Sequence, residues 1–191
     1  MNADTVRKVA AWIRSELSVP FVVVGGSAIE RSVSIGTKDV AVLIAVGDWS
    51  SLDAALENRR DATPLDPTSG TIRGTVLTMP GGRVDVEFIS GEPFSGSRPG
   101  DDFVEYVRNY RSSTAHGVRY ADAGVVFYMR LVLDDWEAYA PSILRDLRAG
   151  VPEAVLEQSV EIARRFDQSS TVRQRVRFVM EKARLFEPRR E

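Results

Sequence analysis

The stretch Phe21-Val22-Val23-Val24-Gly25-Gly26-Ser27-Ala28 restricts the fold of this chain more than any other. A short apolar run rich in β-branched residues favours a strand covered on both faces. The glycine pair directly behind it marks a sharp corner, because a residue without a Cβ turns there at low steric cost. A short helix is expected from Ala28 to Arg31. The next segment, Asp39 to Val46, is almost wholly apolar apart from Asp39 and reads as a second central strand. Two such strands joined through a tight corner need helices on both faces, so an α+β fold with a small mixed sheet and flanking helices is expected.

The rest of the chain extends this outline. Val6, Val9, Ala10, Ile13 and Leu17 recur at helical spacing behind Asp4, which suits a cap, and the stripe ends before Pro20. Asp48 suits the cap of a helix from Trp49 to Glu57, and residues 66–70 break regular structure. Thr71 to Met79 and Arg83 to Ile89 flank Pro80-Gly81-Gly82, a hairpin signal. A Gly-, Ser- and Pro-rich loop from Ile89 to Asp101 leads into a helix from Phe103 to Tyr110. From Ala121 onward the pattern is helical, about three helices, with breaks near Ala140-Pro141, Gly150-Val151-Pro152 and Gln168-Ser169-Ser170. A core over 1–120 and a helical C-terminal bundle over 121–191, packed as one unit, are expected.

Composition narrows the chemistry. With no cysteine and His116 as the single histidine, thiolate chemistry and histidine-rich metal sites are excluded, so any metal is held by oxygen. No apolar run approaches the roughly 20 residues of a spanning helix. Nothing at the N-terminus resembles a secretory signal, and a cytoplasmic location is expected. The net charge of −2 gives no global attraction to nucleic acid. Lysine is confined to Lys8, Lys38 and Lys182 while arginine is abundant, which reflects either phosphate recognition or merely a GC-rich coding sequence.

The chemistry concentrates where the two strands meet. Backbone N–H groups at Gly25-Gly26-Ser27, with the helix that follows, suit a triphosphate. A carboxylate at Asp39 would project beside them, where Mg²⁺ or Mn²⁺ bound by oxygen bridges protein and nucleotide. Residues two apart on a strand share a face, so a second metal-binding acid is expected at position 41; the residue there is Ala41. Asp85 in Arg83-Val84-Asp85-Val86-Glu87 is the candidate for a further acid, and Glu87 reads as a solvated position. In-line phosphoryl transfer uses such carboxylates to hold metal and to accept a proton from the attacking hydroxyl.

The Gly-Gly-Ser turn, a spacer of about ten residues, and Thr37-Lys38-Asp39-Val40-Ala41-Val42 together resemble the minimal nucleotidyltransferase superfamily. That pattern carries paired Asp residues where this chain has Asp39 and Ala41. Thr37-Lys38 and the helical tail resemble more closely the AbiEii-like and MenAT-type nucleotidyltransferase toxins of bacterial toxin-antitoxin systems. The resemblance covers residues 20 to about 150. It implies nucleotide transfer from an NTP to an RNA acceptor, with the 3′ end of tRNA as the target class, and a cognate antitoxin as partner. It further implies a kinase as one form of antitoxin, acting on Thr37, where added negative charge repels a triphosphate. A helical Lys in such proteins corresponds to Arg130 here, and a later acid to Asp146, both assigned to nucleotide binding with Thr37 and Lys38.

Alternatives stay open. Gly25-Gly26 also suits a plain turn, Arg130 suits an ion pair with Asp134, and Asp146 suits a solvated helix face. Arg173, Arg175 and Arg177 suit either RNA phosphates or a solvated face. His116 and Tyr120 suit turn or packing roles. Ala41 is compatible with an introduced Asp→Ala change, a natural non-catalytic homologue, or a motif aligned out of step. The competing functions are transfer to a small molecule such as an aminoglycoside, and a module that binds nucleotide or a partner protein without turnover.

Overall fold

Helix α1 (Ala3–Glu16) is amphipathic: Val6, Val9, Ala10 and Ile13 are all buried. Asp4 lies inside its first turn, not at a cap, and its carboxylate meets Lys8 at 3.0 Å. The computed structural model describes residues 3–29, 39–45, 49–65, 71–133, 136–148 and 152–185, and it divides into two compact units, Met1–Asp122 and Ala123–Glu191.

The first unit is α+β. Its strands are β1 (Phe21–Val24), β2 (Asp39–Ile44), β3 (Ala62–Pro64), β4 (Ile72–Met79), β5 (Gly82–Ser90), β6 (Ser112–Ala115) and β7 (Val118–Ala121). They form one seven-stranded mixed sheet in the order β3-β4-β5-β2-β1-β7-β6. Strand β2 is antiparallel to β1 and parallel to β5, and β1 is parallel to β7. Helices α2 (Gly25–Ile29), α3 (Trp49–Glu57) and α4 (Gly100–Tyr110) complete the unit, with a 3-10 turn at Glu92–Phe94.

The alternation along the central strands accounts for the layering. Val40, Val42 and Ile44 of β2, with Val23, Val86 and Phe88, join Ile13 of α1 and Leu52 and Leu56 of α3 in one core cluster. The opposite face carries Val22, Leu43 and Ile89, all buried, and α4 contacts β1, β2 and β5. Both faces of β2 are therefore covered from Val40 to Ile44, as its apolar sequence requires.

Several expectations need correction. The helix after β1 begins at Gly25 itself, because Gly25 takes φ +66° and the chain coils immediately. Strand β2 ends at Ile44, and Asp48 and residues 66–70 lie outside the described residues. Strands β3, β6 and β7 are additions. The last two are only four residues each, and Ser112-Ser113-Thr114-Ala115 has no apolar alternation to reveal it. The signal that was present is His116-Gly117: both residues have positive φ, 50° and 75°, between paired Ala115 and Val118, as a two-residue hairpin requires.

The second unit is helical, with α5 (Ala123–Val132), α6 (Trp136–Arg148), α7 (Glu153–Arg165) and α8 (Ser169–Leu185). Helix α5 is apolar nearly all round, which suits its position against α6, α7 and α8. Pro141 does not break the chain but lies inside α6. Its missing N–H removes one hydrogen bond, while Ser142 Oγ donates to Tyr139 O at 2.8 Å and Ile143 is wholly buried.

A polar cluster ties α1 to the start of β3. Trp12 Nε1 donates to Asp61 Oδ2 at 2.7 Å, Arg59 Nε donates to Asp61 Oδ1 at 3.0 Å, and Arg59 meets Glu16 at 2.6 Å. The Arg59 hydrogen bond, then that from Trp12, holds the Asp61 carboxyl below its ordinary range. A depressed carboxylate contributes stability above the unfolded value, near 3.9, and loses it as pH falls through the folded value. Asp61 is 37% exposed, so solvent limits the contribution to about 1 kcal/mol or less. Asp61→Asn lowers the urea midpoint at pH 7, and the gap to the parent closes below pH ~4; a gap that stays constant with pH refutes the ionic account.

Candidate functional site

The corner between β1 and α2 lies against β2. Val24 pairs with Ala41, and a Cβ placed on Gly25 would stand 3.2 Å from the Ala41 Cβ. Gly25 is thus required twice, once for its left-handed φ and once for this close approach. Ala41 is only 8% exposed.

Asp39 opens β2 on the same face as Ala41, two residues along. In the parallel ladder Asp39 pairs with Asp85 and Ala41 pairs with Glu87. Directly paired residues on neighbouring strands, ~5 Å apart, point to one face. Asp39, Asp85 and Glu87 therefore surround Ala41 on three positions of a four-residue patch, and Gly25 closes its fourth side. Asp39 and Glu87 are half-buried and Asp85 is exposed. Arg83, exposed and two residues before Asp85, continues the same face as its nearest cation along β5.

Glu87, which the sequence reads as a solvated position, is half-buried and pairs with Ala41 in the register of β2 and β5. The Asp85-x-Glu87 spacing held the signal; the pairing partner did not appear in it. Arg83 gave no signal beyond its parity with Asp85.

The remaining candidates distribute as follows. Gly26 and Ser27 lie in α2, and the Ser27 side chain falls outside the described residues, as do Thr37 and Lys38 entirely. At five residues α2 is little more than one turn, so backbone N–H groups and not a long helix dipole are what it offers. Arg130 is on α5 and Asp146 on α6, both in the second unit; the Asp146 side chain and Asp134 lie outside the described residues. On α5, burial pushes the Tyr128 hydroxyl above its ordinary value, which keeps it protonated.

The arginines of α8 divide between structural and exposed roles. Arg175 Nη1 donates to Leu131 O at 2.6 Å and Leu133 O at 2.9 Å, and its guanidinium lies 5.2 Å from the Trp136 ring centroid. It closes the C-terminal carbonyls of α5. Arg173 Nε donates to Ser169 O at 3.1 Å and Arg177 meets Glu181 at 2.8 Å, both on the exposed helix surface.

Among the described residues no three or more His, Asp or Glu side chains converge as a metal-binding group. The Asp39–Asp85 pair still fits a hard cation such as Mg²⁺ or Mn²⁺, which takes one or two carboxylates and completes its shell with water and phosphate oxygens. No helix of the described residues is long and apolar enough to cross a membrane.

No protein-family model matches this chain, and no curated protein matches it. Solved structures similar to it include two proteins provisionally assigned as nucleotidyltransferases and an antibiotic-resistance factor. A Thermotoga maritima protein with that provisional assignment is 16% identical, over 78% of this chain and 96% of its own, with a TM-score of 0.45. The antibiotic-resistance factor ANT(2″)-Ia is 14% identical, over 94% and 92%, at 0.42. A Helicobacter pylori protein provisionally assigned as a nucleotidyltransferase is 10% identical, over 98% and 100%, at 0.36.

Proposed function

We propose that this chain binds a nucleoside triphosphate at the Gly25 corner and takes part in nucleotidyl transfer to an RNA acceptor, the 3′ end of tRNA. The observation that carries this reading is the register that sets Asp39 beside Asp85, with Gly25 packed on the Ala41 between them and Glu87. Backbone N–H groups of residues 25–27 receive the phosphates, and Arg83 neutralises charge at the rim. Asp39 and Asp85 would hold the divalent cation, which supplies Lewis-acid stabilisation of charge on the transferring phosphoryl group. Thr37, Lys38, Arg130 and Asp146 belong to this reading as nucleotide-binding residues. A cognate antitoxin belongs to it as partner, and so does a kinase acting on Thr37.

A second reading keeps the nucleotide and exchanges RNA for a cationic small molecule such as an aminoglycoside. Glu87 favours it, as a third carboxylate on a face where two already suffice for one cation.

The test measures binding of each labelled NTP with Mg²⁺ and with EDTA, then transfer to total tRNA or to an aminoglycoside. NTP binding is expected to require Mg²⁺ and to weaken about tenfold or more in Asp39→Asn and in Asp85→Asn, as loss of a charge-assisted ligand implies. Label on tRNA supports the first acceptor and label on the aminoglycoside the second. Binding without transfer assigns the non-catalytic role. Binding of no NTP by the folded protein overturns the proposal.

A further inference from the structure

A concave pocket of about 500 Å³ opens in the first unit at the end of the sheet opposite the Gly25 corner. Strand β1 separates the two: Phe21, its first residue, lines the pocket, and Val24, its last, leads into the corner. At ~3.3 Å per residue the two ends of the strand lie roughly 10 Å apart. The pocket is lined by Arg14 of α1, Arg108 of α4 and Arg119 of β7, with Ser18, Thr114 and backbone at Gly117. Among the described residues no Asp or Glu lines it.

Two of the three arginines, Arg14 and Arg119, are held in place from the side. Arg14 Nη2 donates to Gly117 O and its guanidinium lies 5.6 Å from the Phe21 ring centroid, while Arg119 Nη1 donates to Arg108 O. Each guanidinium carries five N–H donors in a fixed fork, so one bond to a carbonyl leaves the others directed elsewhere. No ion pair among the described residues includes Arg14, Arg108 or Arg119, and the nearby Glu16 is engaged by Arg59. Tethered guanidinium groups lose little freedom when an anion arrives.

Part of this charge serves the helices, since Arg14 and Arg108 lie in the last turns of α1 and α4. Two helix C-termini contribute about −0.5 charge each, which leaves roughly two of the three positive charges uncompensated. Arg119, on a strand, reaches the same α4 end through Arg108 O, so the three arginines share two helix C-termini. A lone carboxylate needs one guanidinium; three from separate elements around one cavity match a group with many anionic oxygens.

We propose that this pocket binds a ligand bearing two or more phosphates, supplied either by a nucleic-acid strand or by a free polyphosphate. It is separate from the NTP site proposed above and does not depend on it.

The experiment uses the full chain in EDTA, so that binding requiring a divalent cation is silent. Fluorescence anisotropy follows a labelled single-stranded oligoribonucleotide, and calorimetry follows inorganic tripolyphosphate. Binding is expected to fall at least tenfold in Arg14→Gln/Arg119→Gln and in Arg108→Gln, with a shallower salt dependence for the oligonucleotide. Arg108→Gln retains the backbone carbonyl that Arg119 uses, which guards against a variant that merely unfolds. Asp39→Asn leaves this binding unchanged, so failure here and failure of the NTP site are distinguishable. Arginine-dependent binding of the oligonucleotide assigns a strand as the source, and binding of tripolyphosphate alone assigns a free polyphosphate. Binding of neither, or binding indifferent to the three arginines, overturns the proposal.

Discussion

On the proposed function, Ala41→Asp raises nucleotidyl transfer to tRNA by about a hundredfold or more over the present chain, the usual scale for one correctly placed catalytic carboxylate. The expectation follows from the position. Residue 41 shares its face with Asp39, pairs with Glu87 and lies against Gly25, so an aspartate there reaches the space between the carboxylate pair and the Gly25 corner. Neighbouring positions on that face are ~5–7 Å apart, and two like charges at ~6 Å cost about 3 kcal/mol at an effective dielectric of 20. The variant is therefore less stable than the parent in EDTA. Millimolar Mg²⁺ or Mn²⁺ restores its melting temperature, since a cation bound only by the folded state stabilises by about 2.7 kcal/mol at one hundred times its Kd. Ala41→Asn, similar in shape but uncharged, gains neither transfer nor metal-dependent stability. A folded Ala41→Asp protein that labels no tRNA with any NTP, and melts at the same temperature with and without the cation, contradicts the carboxylate assignment at its root.

Gly91→Ala destabilises the first unit by about 3 kcal/mol or more, at or above the usual range for an overpacked core. Gly91 has φ −77°, so conformational freedom is not its purpose. A Cβ there would fall 2.0 Å from Gly100 O and 3.0 Å from Val104 Cγ2. The reverse holds at Gly100, where a Cβ would meet Glu92 N at 2.7 Å. The end of β5 and the start of α4 touch backbone to backbone, and a carbonyl oxygen cannot rotate away as a side chain does. Relief requires α4 to move, which uncovers Phe103, Val104 and Val107, all buried. For a chain of this length the loss lowers the melting temperature by roughly 10 °C. Gly100→Ala gives a similar loss for the same reason. A Gly91→Ala protein that melts within about 2 °C of the parent disproves the backbone contact.

Much of the central layer was legible in sequence. Phe21–Val24 reads as a buried strand, the Gly25-Gly26 pair as a corner behind it, and Asp39 is the one charged residue on an otherwise apolar strand. These are local statements: β-branched sterics, a missing Cβ and the cost of burying a charge act within a few residues. Trp49–Glu57 and the hairpin around Pro80-Gly81 were readable for the same reason. The polar β6, the short β7 and the uninterrupted α6 were not, because their hydrogen-bond partners and buried contacts come from elsewhere in the fold.

What the sequence determined by itself was a set of candidates: a glycine corner, Asp39, Asp85 and an alanine where a carboxylate was expected. Only the tertiary structure decided who stands beside whom. Asp39 and Asp85 are 46 residues apart in number and become neighbours because β2 and β5 pair in parallel at one register. A shift of one residue would turn Asp85 and Glu87 to the opposite face, where Val86 and Phe88 now pack. That register is imposed by the burial of two faces at once, a property of the assembled sheet that no single strand contains.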